Sequence, residues 1–116
     1  MEVDITDLHS YSFTVNIDNF LLPAICDLSR IESLKDTWIV NRINVPVKAR
    51  GRGIGNELIR KLTEWADKYN QTLVLFINSS GHLSNEDLES WYMRNGFEKD
   101  LSGLHELIRY PRKENV

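Results

Sequence analysis

A chain of 116 residues that is 41% hydrophobic and 27% charged has the composition of one globular domain, large enough to bury a core and small for an enzyme. The net charge of −3 argues against a generally basic nucleic-acid binder, and no apolar run reaches the length of a membrane span or resembles a secretory leader, so a cytoplasmic protein is expected. The single cysteine, Cys26, rules out an internal disulfide, and His9, His82 and His105 lack metal-ligand spacing, so neither a staple nor a metal is expected.

Over residues 10–17, Tyr11, Phe13, Val15 and Ile17 alternate with Ser12, Thr14 and Asn16, the pattern of a half-buried strand. Asp18 and Asn19 read as a turn. Residues 20–34 admit two readings. Leu21, Ile25, Leu28 and Ile31 or Glu32 could line one face of a helix opened by Pro23, or residues 24–31 could form a strand. Residues 32–36 then turn into a strand over 37–45, carried by Trp38, Ile39, Val40, Ile43 and Val45.

That strand runs into Pro46-Val47-Lys48-Ala49-Arg50-Gly51-Arg52-Gly53-Ile54-Gly55, a basic, glycine-rich loop. Past it, Ile54, Leu58, Ile59, Leu62, Trp65, Ala66 and Tyr69 recur at helical spacing. The amino end of such a helix presents unbonded N–H groups with the positive end of the helix dipole behind them, which makes an anion pocket. Glycines let the backbone curl round an anion without a Cβ in the way, and Lys48, Arg50 and Arg52 add positive charge. The expected ligand is a phosphate or pyrophosphate. A nucleotide-hydrolysing loop would need Gly-Lys-Ser/Thr, whereas Asn56 and Glu57 follow Gly55, so that reading fails; the dinucleotide fingerprint is a weak match because the third glycine is displaced, Gly51, Gly53 and Gly55 being spaced by two.

After a stop at Tyr69-Asn70, the run Leu73-Val74-Leu75-Phe76-Ile77 is apolar on both faces and predicts a strand in the middle of a sheet. Strand, helix and strand in this order favour a crossover that sets the two strands parallel. Residues 78–82 form a loop. Ser84 with Asp87 resembles a capping box, predicting a helix over 85–94 through Leu88, Trp91 and Tyr92, ended by Asn95-Gly96. Phe97 begins a short strand, residues 100–103 turn, residues 104–110 make a last strand before Pro111, and the polar tail 112–116 frays. No repeat or linker divides the chain, so residues 1–116 are read as one domain.

The pattern Arg-x-x-Gly-x-Gly at Arg50 to Gly55, behind Ile43 and Val45, resembles the coenzyme A pyrophosphate loop of the GCN5-related N-acetyltransferase (GNAT) family. A second match lies in Asn85-x-x-Leu88-x-x-x-Tyr92-Met93-Arg94-Asn95-Gly96-Phe97, where the family has an asparagine, a small or apolar residue three on, a tyrosine four further, then x-x-x-Gly-Phe. The likeness covers roughly residues 37–110. In its shortness and over residues 83–92 the chain is also similar to the very small acetyltransferases that some phages use against bacterial CRISPR nucleases.

The resemblance implies an α+β fold: a mixed, mostly antiparallel sheet with one parallel pair, the family's fourth and fifth strands, flanked by two main helices. The family's helices between its first two strands would be reduced or absent, since too few residues precede Trp38. It also tips residues 24–31 toward a strand. Acetyl-CoA becomes the expected cosubstrate, with its pantetheine arm in the gap between the strand ends near Val45 and Phe76, bonded to backbone at Val45 and Val47. Arg50, Gly51, Arg52, Gly53, Ile54 and Gly55 would hold the pyrophosphate, Asn85 the amide arm, and the Val45 N–H would polarise the thioester carbonyl. Tyr92 would protonate the departing thiolate.

Many members carry a glutamate base on the strand before the loop, and residues 37–45 hold none. An acceptor lysine is only on the order of one part in a thousand neutral at pH 7, so some group or water chain must take its proton. His105, Glu106 and His82 are candidates, and the base is left open. With the amino-terminal helices reduced, the acceptor side should be open, or completed by a second subunit in a homodimer. An open side suits a lysine or terminal amine on a protein better than a metabolite, which normally sits in an enclosing pocket. The leading reading is therefore acetyl transfer from acetyl-CoA to a primary amine by direct attack. The alternatives are a catalytically weak CoA-binding module acting by protein contact, a polyamine or aminoglycoside-like acetyltransferase, and, ranked last, RNA binding through the Arg-Gly run.

Overall fold

Six strands form one sheet in the order β1-β2-β3-β4-β6-β5 in this computed structural model, which describes residues 9–18, 22–46, 49–77 and 84–113. The elements in chain order are β1 (Ser10–Val15), β2 (Ala24–Arg30), β3 (Thr37–Asn44), α1 (Ile54–Lys68), β4 (Thr72–Leu75), α2 (Asn85–Arg94), β5 (Glu98–Lys99) and β6 (Leu107–Arg109). Every pairing is antiparallel except β3 with β4, the two strands joined through α1. The expected mixed sheet with one parallel pair and two helices is thus present. Readings that fall on Asn19, Leu21, Val47, Lys48, His82 and the tail 114–116 lie outside the described residues.

The ambiguous segment is a strand, with Ala24, Cys26 and Leu28 buried and Ile25, Asp27 and Ser29 half-buried between them. That alternation has a period of two, and both β1 and β3 pair with it, so β2 lies inside the sheet. Val15 pairs directly with Ala24, so residues 16–23 are the whole connection between the first two strands, too short for the two helices of the larger pattern.

One face of the sheet is closed by α1. Leu58, Ile59, Leu62, Trp65 and Ala66 recur along one side of its 15 residues and pack on Cys26, Leu28, Trp38, Val40, Leu73 and Leu75. Each such fully buried aliphatic side chain contributes roughly 1.5–3 kcal/mol. Trp65 is the hub, with ring centroids 5.3 Å from Trp38, 5.6 Å from Tyr11 and 5.7 Å from Phe13. Gln71, 3% exposed, accepts from the Trp38 indole at 2.8 Å and donates to the Tyr69 carbonyl at 2.8 Å, which ties the helix exit to the start of β3. The other face bears half-buried Ile25, Ile39 and Ile108, with Phe76 54% exposed beyond the end of β4.

Two expected strands are shorter than their apolar runs. β4 stops at Leu75 rather than position 77, because its parallel ladder with β3 ends at Ile39↔Val74 and its pairing with β6 ends at Leu75↔Leu107. The last strand covers only Leu107–Arg109 instead of 104–110. Its approach is held as a turn by the Asp100 carboxylate, which accepts from the backbone N–H of Ser102 at 3.0 Å and of His105 at 3.2 Å. Side-chain acceptors of this kind compete with the strand ladder for backbone donors.

Candidate active site

Past the Ile39↔Val74 pair, β3 continues to Asn44 against β2 alone while β4 ends, so the two parallel strands part at their carboxyl ends. A β-bulge sharpens the divergence. Asp27 pairs with Arg42 and Leu28 with Val40, which leaves Asn41 as an extra residue on β3. Bulges bend a strand and end its pairing, and they open backbone groups to a ligand.

The basic loop leaves this cleft from Val45. Arg50 donates its Nε to the Val45 carbonyl at 3.0 Å, and the Ala49 N–H bonds to the Pro46 carbonyl at 2.8 Å, so the loop folds back on its own strand. The sequence assigned Arg50 to the pyrophosphate; the structure also makes it a strut that fixes where the loop begins. Gly51 and Gly53 have φ of +86° and +78°, and a Cβ at either would meet nothing within 4 Å. Their backbone, not crowding, demands glycine. Gly53 is the N-cap of α1 with no side-chain hydrogen bond, and its carbonyl accepts the Glu57 N–H at 3.1 Å. The first turn of α1, with Ile54 and Gly55, is thus left uncapped by any side chain, the arrangement an oxyanion needs. Replacing Gly53 by alanine is expected to cost about 1–2 kcal/mol through strain in the left-handed region, seen as a melting temperature lower by several degrees.

Gly55 faces the second helix. A Cβ there would lie 3.7 Å from the Trp91 ring and 3.9 Å from Val45, and the Trp91 indole donates to Asn56 Oδ1 at 2.7 Å. The two motifs, more than thirty residues apart in sequence, therefore meet at this junction. Nothing in the sequence singled out Trp91 or Asn56 for this bond.

Tyr92 is next to Trp91, half-buried, with its ring 5.0 Å from Trp91 and edge-on to Phe97 at 5.3 Å. Burial, followed by the influence of a Cys26 thiolate, pushes its phenol up to about 12. Cys26, 0% exposed and paired across the sheet with Ile43 of β3, is itself pushed up to about 12, mainly by burial and then by Asp27. Tyr92 packs against the core cluster that contains Cys26, whose partner Ile43 lies in the carboxyl half of β3. Among the described residues no hydrogen bond engages its hydroxyl, and no buried side-chain oxygen or nitrogen lacks a partner, so the hydroxyl reaches accessible space.

Asn85 opens α2 and is exposed. Ser84, not Asn85, is the cap: its Oγ accepts the Asp87 N–H at 3.1 Å. The structure thus relieves Asn85 of a capping role. Val47 lies outside the described residues. No group of three or more metal-ligating side chains occurs among the described residues, and no helix there is long and apolar enough to cross a membrane.

A family description, the acetyltransferase (GNAT) domain, matches residues 16–99. No curated protein sequence matches the chain. Among solved structures it is similar to the anti-CRISPR protein AcrVA5, with a TM-score of 0.63 and 23% identity over 85% of this chain and 97% of that one. It is also similar to the PaiA N-acetyltransferase from Thermoplasma acidophilum in complex with coenzyme A, with a TM-score of 0.66 and 16% identity over 90% of this chain and 63% of that one. The ribosomal-protein-S18-alanine N-acetyltransferase from Escherichia coli gives a TM-score of 0.69 and 16% identity over 92% of this chain and 72% of that one. At these identities the likeness is one of fold.

Proposed function

The chain belongs to the GNAT acetyltransferase family, and from that premise we propose that it moves the acetyl group of acetyl-CoA to a primary amine carried by a protein. The observation that carries the reading is the junction of the uncapped, glycine-bearing start of α1 with the cleft between β3 and β4, beside Tyr92. Arg50, Gly51, Arg52, Gly53, Ile54 and Gly55 take the pyrophosphate, and the strand end at Val45 and Val47 receives the pantetheine amides. The Val45 carbonyl accepts from Arg50, so Val45 offers the coenzyme its N–H. Asn85 holds the coenzyme's amide arm from the start of α2.

In the reaction the amine nitrogen attacks the thioester carbon, and the tetrahedral intermediate expels the thiolate, which needs a proton. A phenol at about 12 is a weak donor to an ordinary thiol of about 8.5. The same dry surroundings raise the proton affinity of a sulfur as well, as Cys26 at about 12 illustrates. Desolvation acts on both partners and narrows the gap, and Tyr92 remains a neutral donor throughout the physiological range.

A protein acceptor suits the exposed apolar side chains Phe76 at 54%, just past the end of β4, and Leu101 at 97% and Leu104 at 63%, in the turns before β6. Acetyl-CoA supply places the reaction in the cytoplasm, and residues 1–116 act as one domain, alone or with a second copy completing the acceptor side. Titration calorimetry with acetyl-CoA, then mass spectrometry of candidate proteins and polyamines for a gain of one acetyl group, tests the reading. Heat without any acetylated product would favour the CoA-binding module, and an absence of heat from the folded protein would overturn both.

A further inference from the structure

We propose that His105, oriented by Asp100, takes the proton of the acceptor amine in a recess at the carboxyl end of β4, which supplies the base that β3 lacks. The inference rests on the acetyl-transfer reading of the adjoining cleft.

The recess is an open depression of about 530 Å³ lined by Ile77 after β4, Glu89 of α2, Lys99 and Asp100 at the end of β5, and His105 and Glu106 before β6. The His105 and Asp100 side chains are only 13% and 7% exposed, with Nδ1 3.5 Å from Oδ2. Asp100 is itself held. Its Oδ1 accepts from the Ser102 N–H at 3.0 Å and hydroxyl at 2.6 Å, and its Oδ2 accepts from the His105 N–H at 3.2 Å. A carboxylate at Nδ1 favours the tautomer with its proton there, and Nε2 then keeps a lone pair for a substrate proton. The Phe76 ring, just past the end of β4, lies 5.4 Å from the imidazole.

The charged groups facing the recess are Glu89, Asp100, Glu106 and Lys99, with Lys99 Nζ 3.9 Å from Glu89 Oε1. Three carboxylates against one ammonium favour a cationic guest, such as a protonated amine. Glu89, which lines the recess, precedes Tyr92 by three positions, so both side chains leave neighbouring positions on one side of α2. The chemistry then balances. The ammonium gives a proton to Nε2, the neutral amine forms the N–C bond, the C–S bond breaks, and Tyr92 protonates the thiolate. The tetrahedral intermediate's remaining N–H proton returns the phenolate to phenol, and water discharges the imidazolium.

The test follows thiol release from acetyl-CoA with poly-L-lysine as acceptor, together with calorimetry and thermal melting. His105→Gln should keep coenzyme affinity and melting temperature, lower kcat about 10²-fold or more, and erase a limb from the pH–rate profile. Asp100→Asn should lower kcat and leave coenzyme affinity unchanged, since the imidazole then loses the carboxylate that fixes its tautomer. His105→Ala should regain rate with added imidazole. A wild-type rate and unchanged limb in His105→Gln, or failure of imidazole to restore the alanine form, would overturn the assignment. Failure of the acetyl-transfer reading is told apart because the wild type itself would then release no thiol, whether or not acetyl-CoA gave heat.

Discussion

Tyr92→Phe is expected to lower acetyl transfer by about 10²–10⁴-fold, while acetyl-CoA binds as to the wild type. The ring packs against Trp91 and Phe97 through carbon, and among the described residues its hydroxyl holds no protein partner, so phenylalanine keeps the packing and removes only the proton. With the phenol pushed up to about 12, Tyr92 stays protonated across any practical assay. The wild-type profile should therefore show no alkaline fall owed to this residue below about pH 11. Stopped-flow thiol release together with calorimetry reads both quantities. A variant that transfers at the wild-type rate would remove Tyr92 from the chemistry.

Arg109→Met should be the most damaging substitution for stability outside the apolar core. Arg109, 3% exposed on β6, binds Asp67 of α1 with two bonds of 2.8 and 3.0 Å and donates its Nε to the Asn95 carbonyl at 3.1 Å. The Arg112 N–H bonds the same carboxylate at 2.9 Å. One pair thus pins the end of α1, the exit of α2 and the carboxyl-terminal strand. Removing the cation leaves a partly buried carboxylate with only the Arg112 N–H and takes one donor from the Asn95 carbonyl, which costs about 3 kcal/mol, toward the low end for such pairs because Asp67 keeps 27% of its side-chain exposure. Urea denaturation measures this, and a loss under about 1 kcal/mol would mean that the pair is screened like a surface one.

The pair also sets an acid limit. Burial alone would raise the Asp67 carboxyl, but the bonds from Arg109 and the Arg112 backbone outweigh it and hold it below the usual carboxylate range. A depressed folded value means that the contribution is fully present above the unfolded value of about 3.9 and is lost as pH falls through the lower, folded one. The stability gap between wild type and Arg109→Met should accordingly narrow below about pH 4.

Local chemistry made much of the molecule legible in the sequence. Ser84 and Asp87 marked the start of α2, Asn95-Gly96 its end, with Gly96 at φ +95°, and Gly53 the start of α1; each is a contact or conformation within a few residues. Alternation marked β1, and the apolar run at Trp38, Ile39, Val40, Ile43 and Val45 marked β3. Residues 20–34 resisted, because short apolar runs satisfy both periods until neighbours take up the backbone donors, as β1 and β3 do for β2. The ends of β4 and β6 resisted for a related reason. Phe76 and Leu104 are apolar enough for strand, yet they stand outside the ladders because no partner strand continues beside them.

By itself, then, the sequence determined every element but the one at residues 20–34, together with the glycine-rich loop before α1 and the helix that carries Tyr92, because these depend on neighbours along the chain. Tertiary structure alone decided that Gly55 meets Trp91, that Arg50 braces Val45, that Cys26 shares Tyr92's dry surroundings and that Asp100 lies against His105 beside Phe76. Those contacts join segments that no periodicity relates. Proton affinities and recesses belong to such meetings of distant residues, since desolvation and charge act through space rather than along the backbone.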